Sequence, residues 1–541
     1  MSMRKLLSVI LPSMVMAGAI ASSATAFTFK PIGTYSTGIF DDSAAEIPAY
    51  DAASQRLFVT NAATNSIDVL SLSDPTAPTL INSINVGGGI NSVAFQNGIL
   101  AAAIENANKQ LPGQVSFFDI DGALLNSVTV GALPDMLTFT PDGNKVLVAN
   151  EGEPNDAYTV DPEGSVSIID ISGGIGSASA TTARFNTFLP GDLNDSVRIF
   201  GPGASIAQDL EPEYIAVSEN SDKAWVALQE NNAIAILDLL TGEFTDVVGL
   251  GFKDLSDPAN ALDVSNKDGA IQFSTFDNLY GMFQPDAIAA YTAASKTYIV
   301  TANEGDSRDY DGFSEEARVK DLDLDPTAFP DAASLQEDDV LGRLKVTTTL
   351  GDTDGDGDYD ELYAFGGRSF SIFDEDGNLV FDSGDEFERI IAEQIPDFFN
   401  ATNDENEFDD RSDDKGPEPE GVTIGKIGGQ TLAFIGLERI GGFMVYDITD
   451  PLSPFFLEYV NNRDFSGDPE AGTAGDLGPE GLLFVDAKDS PNGRAMLVVT
   501  NEVSGSTTVY SAVPEPGTAL GLLLVSGAAW INRKRLRRVA R

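Results

Sequence analysis

Short runs of alternating apolar and polar residues recur through most of the chain, separated by Gly, Pro, Asn and Asp. Runs of this period, bounded by turn-forming residues, predict antiparallel strands joined by turns. In each recurring unit one apolar strand ends near Asn-Glu, and a second alternating strand follows and ends near Asp. The predicted strand pairs are 58–61 with 66–70, 101–105 with 115–119, 146–151 with 166–170, 224–230 with 234–238, 298–304 with 342–346, 362–365 with 370–374, 432–438 with 443–447, and 496–502 with 507–510.

This repetition predicts an all-β fold over residues 27–511, a seven- or eight-bladed β-propeller with long loop insertions. Eight hairpins are present, so one of them is an accessory hairpin if the ring has seven blades. The last unit lacks an obvious fourth strand, and we expect residues 29–36 to supply it and close the ring. A series of separate β-sandwich domains is the alternative, because turn spacing alone does not distinguish the two architectures.

The N-terminal residues 1–26 have the features of a cleavable signal peptide. A short basic start precedes an apolar stretch, and Ala24 and Ala26 form a small-residue cleavage site. A buried N-terminal helix is the alternative. The sequence therefore predicts transport across the inner membrane by the export machinery.

The C-terminal residues 512–541 resemble the PEP-CTERM sorting signal of Gram-negative bacteria. Pro514, Glu515 and Pro516 are followed by an apolar run, predicted to be a helix, and then by a basic tail. The apolar run is shorter than the roughly 20 residues of a comfortable span. The resemblance implies that an exosortase is a partner and cuts near Pro-Glu-Pro. We expect transient anchoring in the membrane and then an envelope or extracellular location.

Charge and composition exclude several kinds of function. The net charge is −52, which repels nucleic-acid phosphates and favours cations, so we expect no nucleic-acid partner. The chain has no Cys, so it has no disulfide framework. It also has no His, which removes Ser-His-Asp chemistry and His-ligated zinc, and we expect no haem. A metal site in this chain must use oxygen ligands, which suit calcium or another hard divalent cation.

In a propeller, the strand ends and loops of one face surround a central channel. The Asn-Glu strand ends and the recurring Pro-acid pairs that precede first strands are therefore expected to meet there. The candidate ligand-binding residues at this channel mouth are Glu151, Glu304, Asp306, Arg308, Arg368, Glu418, Glu420, Glu438, Glu480 and Glu502. Alternatively, these acids cap turns or pair with neighbouring arginines, and the acidic stretch 409–421 is a plain surface loop.

A second candidate metal site lies in residues 352–361. Its alternating acids have the spacing of a calcium loop, with Gly357 where a sharp turn is needed. The proposed ligands are Asp352, Asp354, Asp356, Asp358 and Asp360. Position 12 of this loop is Tyr363 rather than Glu, so the loop is not an EF-hand. A solvated acidic turn is the alternative.

Several longer stretches resemble the choice-of-anchor I domain family. They are LPDMLTFTPDGNKVLVANEGEP (133–154), VTANEGDSRDYDGFSEEARVKDL (300–322), LGDTDGDGDYDELYAFGGRSFSIFD (350–374) and DDKGPEPEGV (413–422). The resemblance implies a secreted or surface protein with an interchangeable C-terminal anchor. The chain is also similar to the mesenchyme-specific cell surface glycoprotein group. Some relatives carry an alkaline phosphatase label, which implies phosphomonoester hydrolysis.

Two functions follow from these features. The first is an exported, cation-binding β-propeller, displayed at the cell envelope or released to the extracellular matrix as a binding or structural module. Its expected ligands are divalent cations and an extracellular polysaccharide or phosphorylated molecule. The second is a secreted metal-dependent phosphoesterase, alkaline phosphatase-like or phytase-like, in which Arg308 or Arg368 steadies phosphate. No nucleophile–base pair is recognisable in the sequence, which favours the first function.

Overall fold

The computed structural model describes residues 27–514, most of which belong to four-stranded sheets. Seven such sheets follow one another along this part of the chain, and we number them 1 to 7. Their strands, given from the inner to the outer edge, are as follows: sheet 1, Pro48–Asp51, Arg56–Asn61, Ser66–Ser71 and Thr79–Asn85; sheet 2, Ile90–Gln96, Ile99–Ile104, Pro112–Asp119 and Leu124–Ala132; sheet 3, Pro134–Phe139, Lys145–Asn150, Ser165–Asp170 and Ser179–Arg184; sheet 4, Ile215–Val217, Lys223–Leu228, Ala233–Asp238 and Glu243–Gly249; sheet 5, Ile288–Ala293, Lys296–Asn303, Ser369–Asp374 and Leu379–Asp382; sheet 6, Pro419–Ile427, Gln430–Leu437, Phe443–Asp447 and Phe455–Val460; sheet 7, Pro479–Val485, Met496–Asn501, Ser506–Pro514 and Phe27–Ser36.

The inner strands of these sheets contact one another in cyclic order, from sheet 1 through sheet 7 and back to sheet 1. Sheet 7 closes the ring, because its outermost strand, Phe27–Ser36, comes from the other end of the described chain and lies beside Ser506–Pro514. The predicted β-propeller architecture and its closing N-terminal strand are therefore confirmed. The alternative of separate sandwiches is wrong, since a sandwich has no such cyclic order.

Burial differs between the strands of a sheet in the way that a ring requires. The second strand of sheet 3, Lys145–Asn150, is buried along nearly its whole length, whereas the outer strand Ser179–Arg184 is mostly exposed. A second strand packs against neighbouring sheets on both faces, so it reads as a continuous apolar run rather than an alternating one. The largest buried side chains include Trp225 and Phe434, which lie on second strands of sheets 4 and 6.

The sequence-based pairing in sheet 5 is wrong. The strand Lys296–Asn303 pairs with Ser369–Asp374, not with residues 342–346, and residues 362–365 form no hairpin with 370–374. The insertion between these two strands supplies three strands of an accessory five-stranded sheet, and the chain before sheet 5 supplies the other two. The order is Phe252–Asp254, Leu279–Met282, Leu362–Ala364, Lys345–Thr347 and Glu316–Arg318. Its Leu279–Met282 and Leu362–Ala364 strands are parallel, a pairing between distant segments that local periodicity does not reveal.

The long insertions lie on one face of the ring. Residues 151–164 and 304–368 join second strands to third strands, and residues 250–287 and 383–418 lead into first strands. Because neighbouring strands are antiparallel, the end of a second strand and the start of a first strand lie at the same face. The opposite face has short connections such as 140–144 and 218–222, which join first strands to second strands. We call these the insertion face and the short-turn face.

Helices are short and few among residues 27–514. The α-helices are Ile206–Asp209, Ala332–Leu335 and Glu386–Gln394, and the 3-10 helices are Ala62–Thr64, Ile175–Ser177, Pro190–Asp192, Pro258–Asn260, Val319–Asp321 and Pro396–Phe398. A two-stranded sheet of Asp309–Tyr310 and Phe313–Ser314 completes the secondary structure. No helix of this part of the chain has the length and apolar character needed to cross a membrane. The signal peptide with its cleavage site, Glu515, Pro516 and the apolar sorting helix lie outside the described residues.

Candidate functional site: a ring of carboxyl groups in the channel

The acid at or just before the start of an inner strand lies in a β-bulge. In sheet 3 the pairing register shifts between Pro134 and Leu137, which leaves Asp135 without a regular partner. Sheets 6 and 7 show the same shift at Glu420 and Glu480. A bulge re-aims the side chain of its extra residue away from the regular alternation of the strand. The recurring Pro-acid pair is therefore the sequence mark of a bulge that presents a carboxyl group.

The same arrangement occurs in sheets 1, 4 and 5, where it is visible in the hydrogen bonds. The Thr60 carbonyl accepts from the Glu46 N–H at 3.3 Å, and the Thr60 N–H donates to the Ile47 carbonyl at 3.1 Å. Two residues of the inner strand thus face one residue of the second strand. Glu213 and Asp286 occupy the position of Glu46 in sheets 4 and 5. Sheet 2 has Asn91 at this bulge.

These acids lie at the inner strands and therefore around the axis of the ring, and their electrostatic effects on one another agree with this position. Asp135, Asp286 and Glu480 belong to sheets 3, 5 and 7, which are not neighbours. Burial raises the pKa of Asp286 well above its usual value, and the nearby carboxylates of Glu304 and Asp135 raise it further. Burial likewise raises the pKa of Glu480, and Asp286 is among the carboxylates that add to the effect. Side chains on the outer rim of separate sheets would be too far apart for such coupling.

The two residues of the Asn-Glu strand end have separate roles. Asn150 is buried, and its side-chain Nδ2 donates to the Ser165 carbonyl at 3.1 Å and to Ser167 Oγ at 3.0 Å. Asn303 makes the equivalent bonds to the hydroxyl groups of Ser369 and Ser371. The amide therefore ties the second strand to the third at the insertion face. The acid that follows it, such as Glu151, is left to point toward the channel.

We define the carboxylate ring as the six acids of the inner-strand bulges: Glu46, Asp135, Glu213, Asp286, Glu420 and Glu480. Among residues 27–514, no Lys or Arg nitrogen forms an ion pair within 4 Å of any of them. Burial raises the pKa of every member, to about 7 for Asp135 and to about 8 for Glu46. Glu213 is buried and the other five acids are half-buried. A ring of such uncompensated carboxyl groups favours either bound protons or a bound cation.

A neighbouring group of acids is compensated by the protein itself. Glu418 is fully buried and its pKa is lowered, because three cations outweigh its desolvation. Lys415 Nζ lies 3.3 Å and Arg439 Nε 2.8 Å from Glu418 Oε2, while Arg411 contacts Glu418 Oε1. Arg439 NH1 also lies 2.9 Å from Glu438 Oε1. This side of the channel mouth therefore has little need of an external cation.

Glu304 lies between the compensated and the uncompensated acids. Its Oε1 is 3.2 Å from Lys415 Nζ, and its Oε2 accepts from Gln229 Nε2 at 2.9 Å. One oxygen each from Asp286, Glu304 and Glu420 lie within 4.8 Å of one another. Calcium–oxygen distances of about 2.3–2.6 Å place opposite ligands at such separations. These three side chains, two from the carboxylate ring and Glu304 beside it, best fit a hard divalent cation.

The remaining channel-mouth candidates have different surroundings. Glu151 and Glu502 end second strands, and burial raises the pKa of both. Asp306 is exposed at the rim, 3.6 Å from Lys415 Nζ. The structure thus brings the predicted glutamates together at one end of the channel.

Neither predicted phosphate-binding arginine has a free guanidinium group. Arg308 is buried against Asp209 and lies 2.7 Å from Glu211 Oε2. Arg368 NH1 donates to Glu388 Oε1 at 2.9 Å, and its NH2 donates to the carbonyls of Ser412 and Asp414. Both arginines hold insertions onto the ring, because their donors are already used by protein acceptors.

The acidic stretch 352–360 is a surface loop next to the accessory sheet. The side chains of Asp352, Asp354 and Asp356 are exposed, and one oxygen of each lies within 4.8 Å of the others. A second set, made of Asp358 and Asp360 with Asp325 from a neighbouring segment, meets the same distance. Backbone N–H groups of the loop donate to several of these carboxylates; that of Gly355, for example, lies 2.7 Å from Asp352 Oδ1. Asp325 was missed from the sequence, because only the fold brings it to the loop.

Two other residues of the channel were missed for identifiable reasons. Glu46 precedes Pro48 by two residues, so it lacks the adjacent Pro-acid order of the other sheets. The number of residues between Glu46 and the Thr60-Asn61 strand end would have indicated that Glu46 occupies the position that the acid of a Pro-acid pair has in other sheets. Lys415 lies within a run of acids that reads as a solvated loop, and nothing in the local sequence indicates that it is buried at the channel mouth.

The family model of the choice-of-anchor I domain matches residues 46–451, most of the ring and its insertions. The chain belongs to this family. Among curated proteins, gigasin-3a of Magallana gigas is 34% identical over 193 residues, which cover 33% of this chain and 66% of that protein. The mesenchyme-specific cell surface glycoprotein of Strongylocentrotus purpuratus is 28% identical over 278 residues, 45% of this chain and 35% of that protein. The choice-of-anchor I chain thus matches less than two thirds of either relative.

Solved structures with a similar chain course include Kuenenia stuttgartiensis hydrazine synthase, with a TM-score of 0.45 and 13% identity over 89% of this chain and 100% of that chain. The β-propeller domain of Cps50 (Swd1) from Myceliophteria thermophila has a TM-score of 0.44 and 9% identity, over 90% of this chain and 99% of that chain. Neither likeness bears on function.

Proposed function

We propose that this protein is an exported seven-bladed propeller that binds hard divalent cations, calcium first, in its carboxylate ring. It acts as a binding or structural module at the cell envelope or in the extracellular matrix. The observation that carries the proposal is the carboxylate ring itself, in which six sheets each contribute one acid and no described Lys or Arg forms an ion pair with any of them. The cell-surface relative and the signal-like chain ends support the location.

The expected ion-binding residues are Asp286, Glu304 and Glu420. Carboxylate oxygens are the ligands that calcium prefers, and its flexible coordination suits side chains from three separate elements. Burial raises the pKa of these acids, and repulsion between their carboxylates raises it further; a bound divalent cation would offset both effects. The surface loop 352–360 is proposed as a second, separate calcium site. Binding there would fix the loop against Asp325 and so stabilise the accessory sheet.

Calorimetric titration of the chelated protein with calcium tests both sites. In Asp286→Asn/Glu420→Gln protein, we expect loss of the ring site while the loop site is retained. In Asp358→Asn/Asp360→Asn protein, we expect the reverse. Calcium should raise the melting temperature of the wild type, and each double variant should lose part of that increase. If calcium leaves the titration and the melting temperature of the wild type unchanged, the proposal is wrong.

The same proteins should be assayed with a generic phosphomonoester, with and without calcium. A binding module has no turnover, and we expect none. Calcium-dependent turnover that disappears in the ring variant would replace this proposal with the phosphoesterase function.

A further inference from the structure

A cavity of about 380 Å³ adjoins the carboxylate ring along the axis of the propeller. All seven inner strands line it, each with residues that follow the bulge position by one to four places. Since inner strands run from the insertion face toward the short-turn face, the cavity lies on the short-turn side of the carboxylate ring. We call it the lower cavity. Its volume falls within the range of roughly 300–1,000 Å³ that is typical of small-molecule sites.

The wall of the lower cavity is partly polar and partly apolar, and apolar side chains form the part next to the ring. Its upper layer includes Ile47, Met136, Ile288, Val422 and Leu482. Below these side chains the wall contains several small residues, which leave the space open. The upper layer therefore offers a contact surface for an apolar body, and the hydroxyl groups of Thr138 and Thr423 line the wall below it.

Tyr214 lies at the junction between the two environments. It lines the lower cavity and directly follows Glu213 of the carboxylate ring. Burial raises the pKa of the Tyr214 hydroxyl, and the carboxylates of Asp286, Glu480 and Asp135 raise it further. Carboxylates from three sheets therefore act electrostatically on the phenol. A positive charge beside Tyr214 is favoured by both the carboxylates and the aromatic π-system.

The polar end of this space contains acceptors without partners. Glu213 is 7% exposed, and its Oε2 has no hydrogen-bond partner. Glu420 Oε2 is equally without a partner. Each of these acids has another carboxyl group as its hydrogen-bonding neighbour, Glu230 for Glu213 and Glu480 for Glu420. A ligand that donates N–H groups can replace the proton that such a pair shares.

We propose that the lower cavity and the carboxylate ring together bind an organic cation, an ammonium group attached to an apolar or aromatic body. The ammonium group lies beside Tyr214, Asp286 and Glu480, where N–H groups donate to the unpartnered carboxylate oxygens. The apolar body occupies the lower cavity against Ile47 and Val422. The inference rests on the proposed function in one respect, since the organic cation and the divalent cation use the same carboxylates. Anionic ligands are excluded by the same charges.

Calorimetric titration of the purified, chelated protein at pH 8 tests this inference. The probe is 2-phenylethylamine. Its matched controls are 2-phenylethanol, which is neutral, phenylacetate, which is an anion, and methylammonium, which lacks the apolar body. We expect the amine to bind at least about tenfold more tightly than the alcohol, a difference of about 1.4 kcal/mol. Phenylacetate and methylammonium should show no binding. Equal binding of amine and alcohol would overturn the inference.

Variants separate the cavity from the metal site. Thr423→Phe and Thr138→Phe fill the lower cavity from two half-exposed wall positions without removing a carboxylate. Either one should abolish amine binding and leave calcium binding intact, and the melting transition shows which variant has folded. Tyr214→Leu should weaken the amine about tenfold or less, as expected for a lost cation–π contact.

The outcomes distinguish this inference from the proposed function. Calcium binding without amine binding overturns the organic-cation site alone. Amine binding without calcium binding overturns the metal proposal alone. In the wild type, calcium should compete with the amine for the ring, and simultaneous independent binding of both ligands would contradict the shared site.

Discussion

Replacing Glu46 by Gln should stabilise the metal-free protein, because it removes a charge from a site where desolvation makes that charge costly. Burial raises the pKa of Glu46 from 4.5 to about 8, with further contributions from Glu502 and Asp135. An acid with a raised folded-state pKa keeps its proton in the folded state while the unfolded chain releases it. The free energy of unfolding therefore falls as pH rises from about 4.5 to about 8 and is constant above that. At about 1.4 kcal/mol per pH unit, the full loss is about 5 kcal/mol.

Gln cannot ionise, so Glu46→Gln avoids this loss. With an unfolding entropy of about 2.1 cal/mol/K per residue over roughly 490 residues, 5 kcal/mol corresponds to a shift in melting temperature of about 5 °C. The assay is thermal unfolding with chelator at pH 4, 6, 8 and 9. We expect no difference from the wild type at pH 4 and the full increase at pH 9. Glu243→Gln, at an exposed position on the outer strand of sheet 4, is the matched control and should have no effect. A lower melting temperature at pH 9, or an increase that does not vary with pH, would refute the electrostatic reasoning.

Three further substitutions test how the ring is held together. Asn150→Ala removes the buried amide that joins two strands and should lower the free energy of unfolding by about 2–3 kcal/mol, measured by urea titration. Gly421→Ala would place a Cβ 2.2 Å from the Glu480 carbonyl oxygen and should cost about 3 kcal/mol, whereas Gly176→Ala, which has open space, should be neutral in the same titration. Arg308→Ala leaves buried carboxylates unpaired and should cost about 3–5 kcal/mol at pH 8, with a smaller cost near pH 4 in the same assay; equal costs at both values would contradict the ion-pair explanation.

The sequence determined the repeating hairpins and the ring closure. The second strand of each sheet is an apolar run such as residues 146–150, followed by an acid in most sheets, and this pattern depends only on neighbouring residues. The bulge at Pro134-Asp135 is also local, because Pro and the following acid mark it wherever it recurs. The absence of His restricts any metal site to oxygen ligands, whatever the fold.

Only the tertiary structure determined which distant segments pair and which distant side chains meet. It separated residues 298–303 from their partner strand by an insertion of more than sixty residues, and it joined part of that insertion to residues 252–282 in the accessory sheet. It divided the acids into a group neutralised by Lys415, Arg411 and Arg439 and a group with no described cation beside it. Charge compensation and cavity volume depend on the positions of side chains from several sheets at once. A linear pattern carries no information about such positions, because each strand specifies its own alternation and not the distance to a strand across the axis.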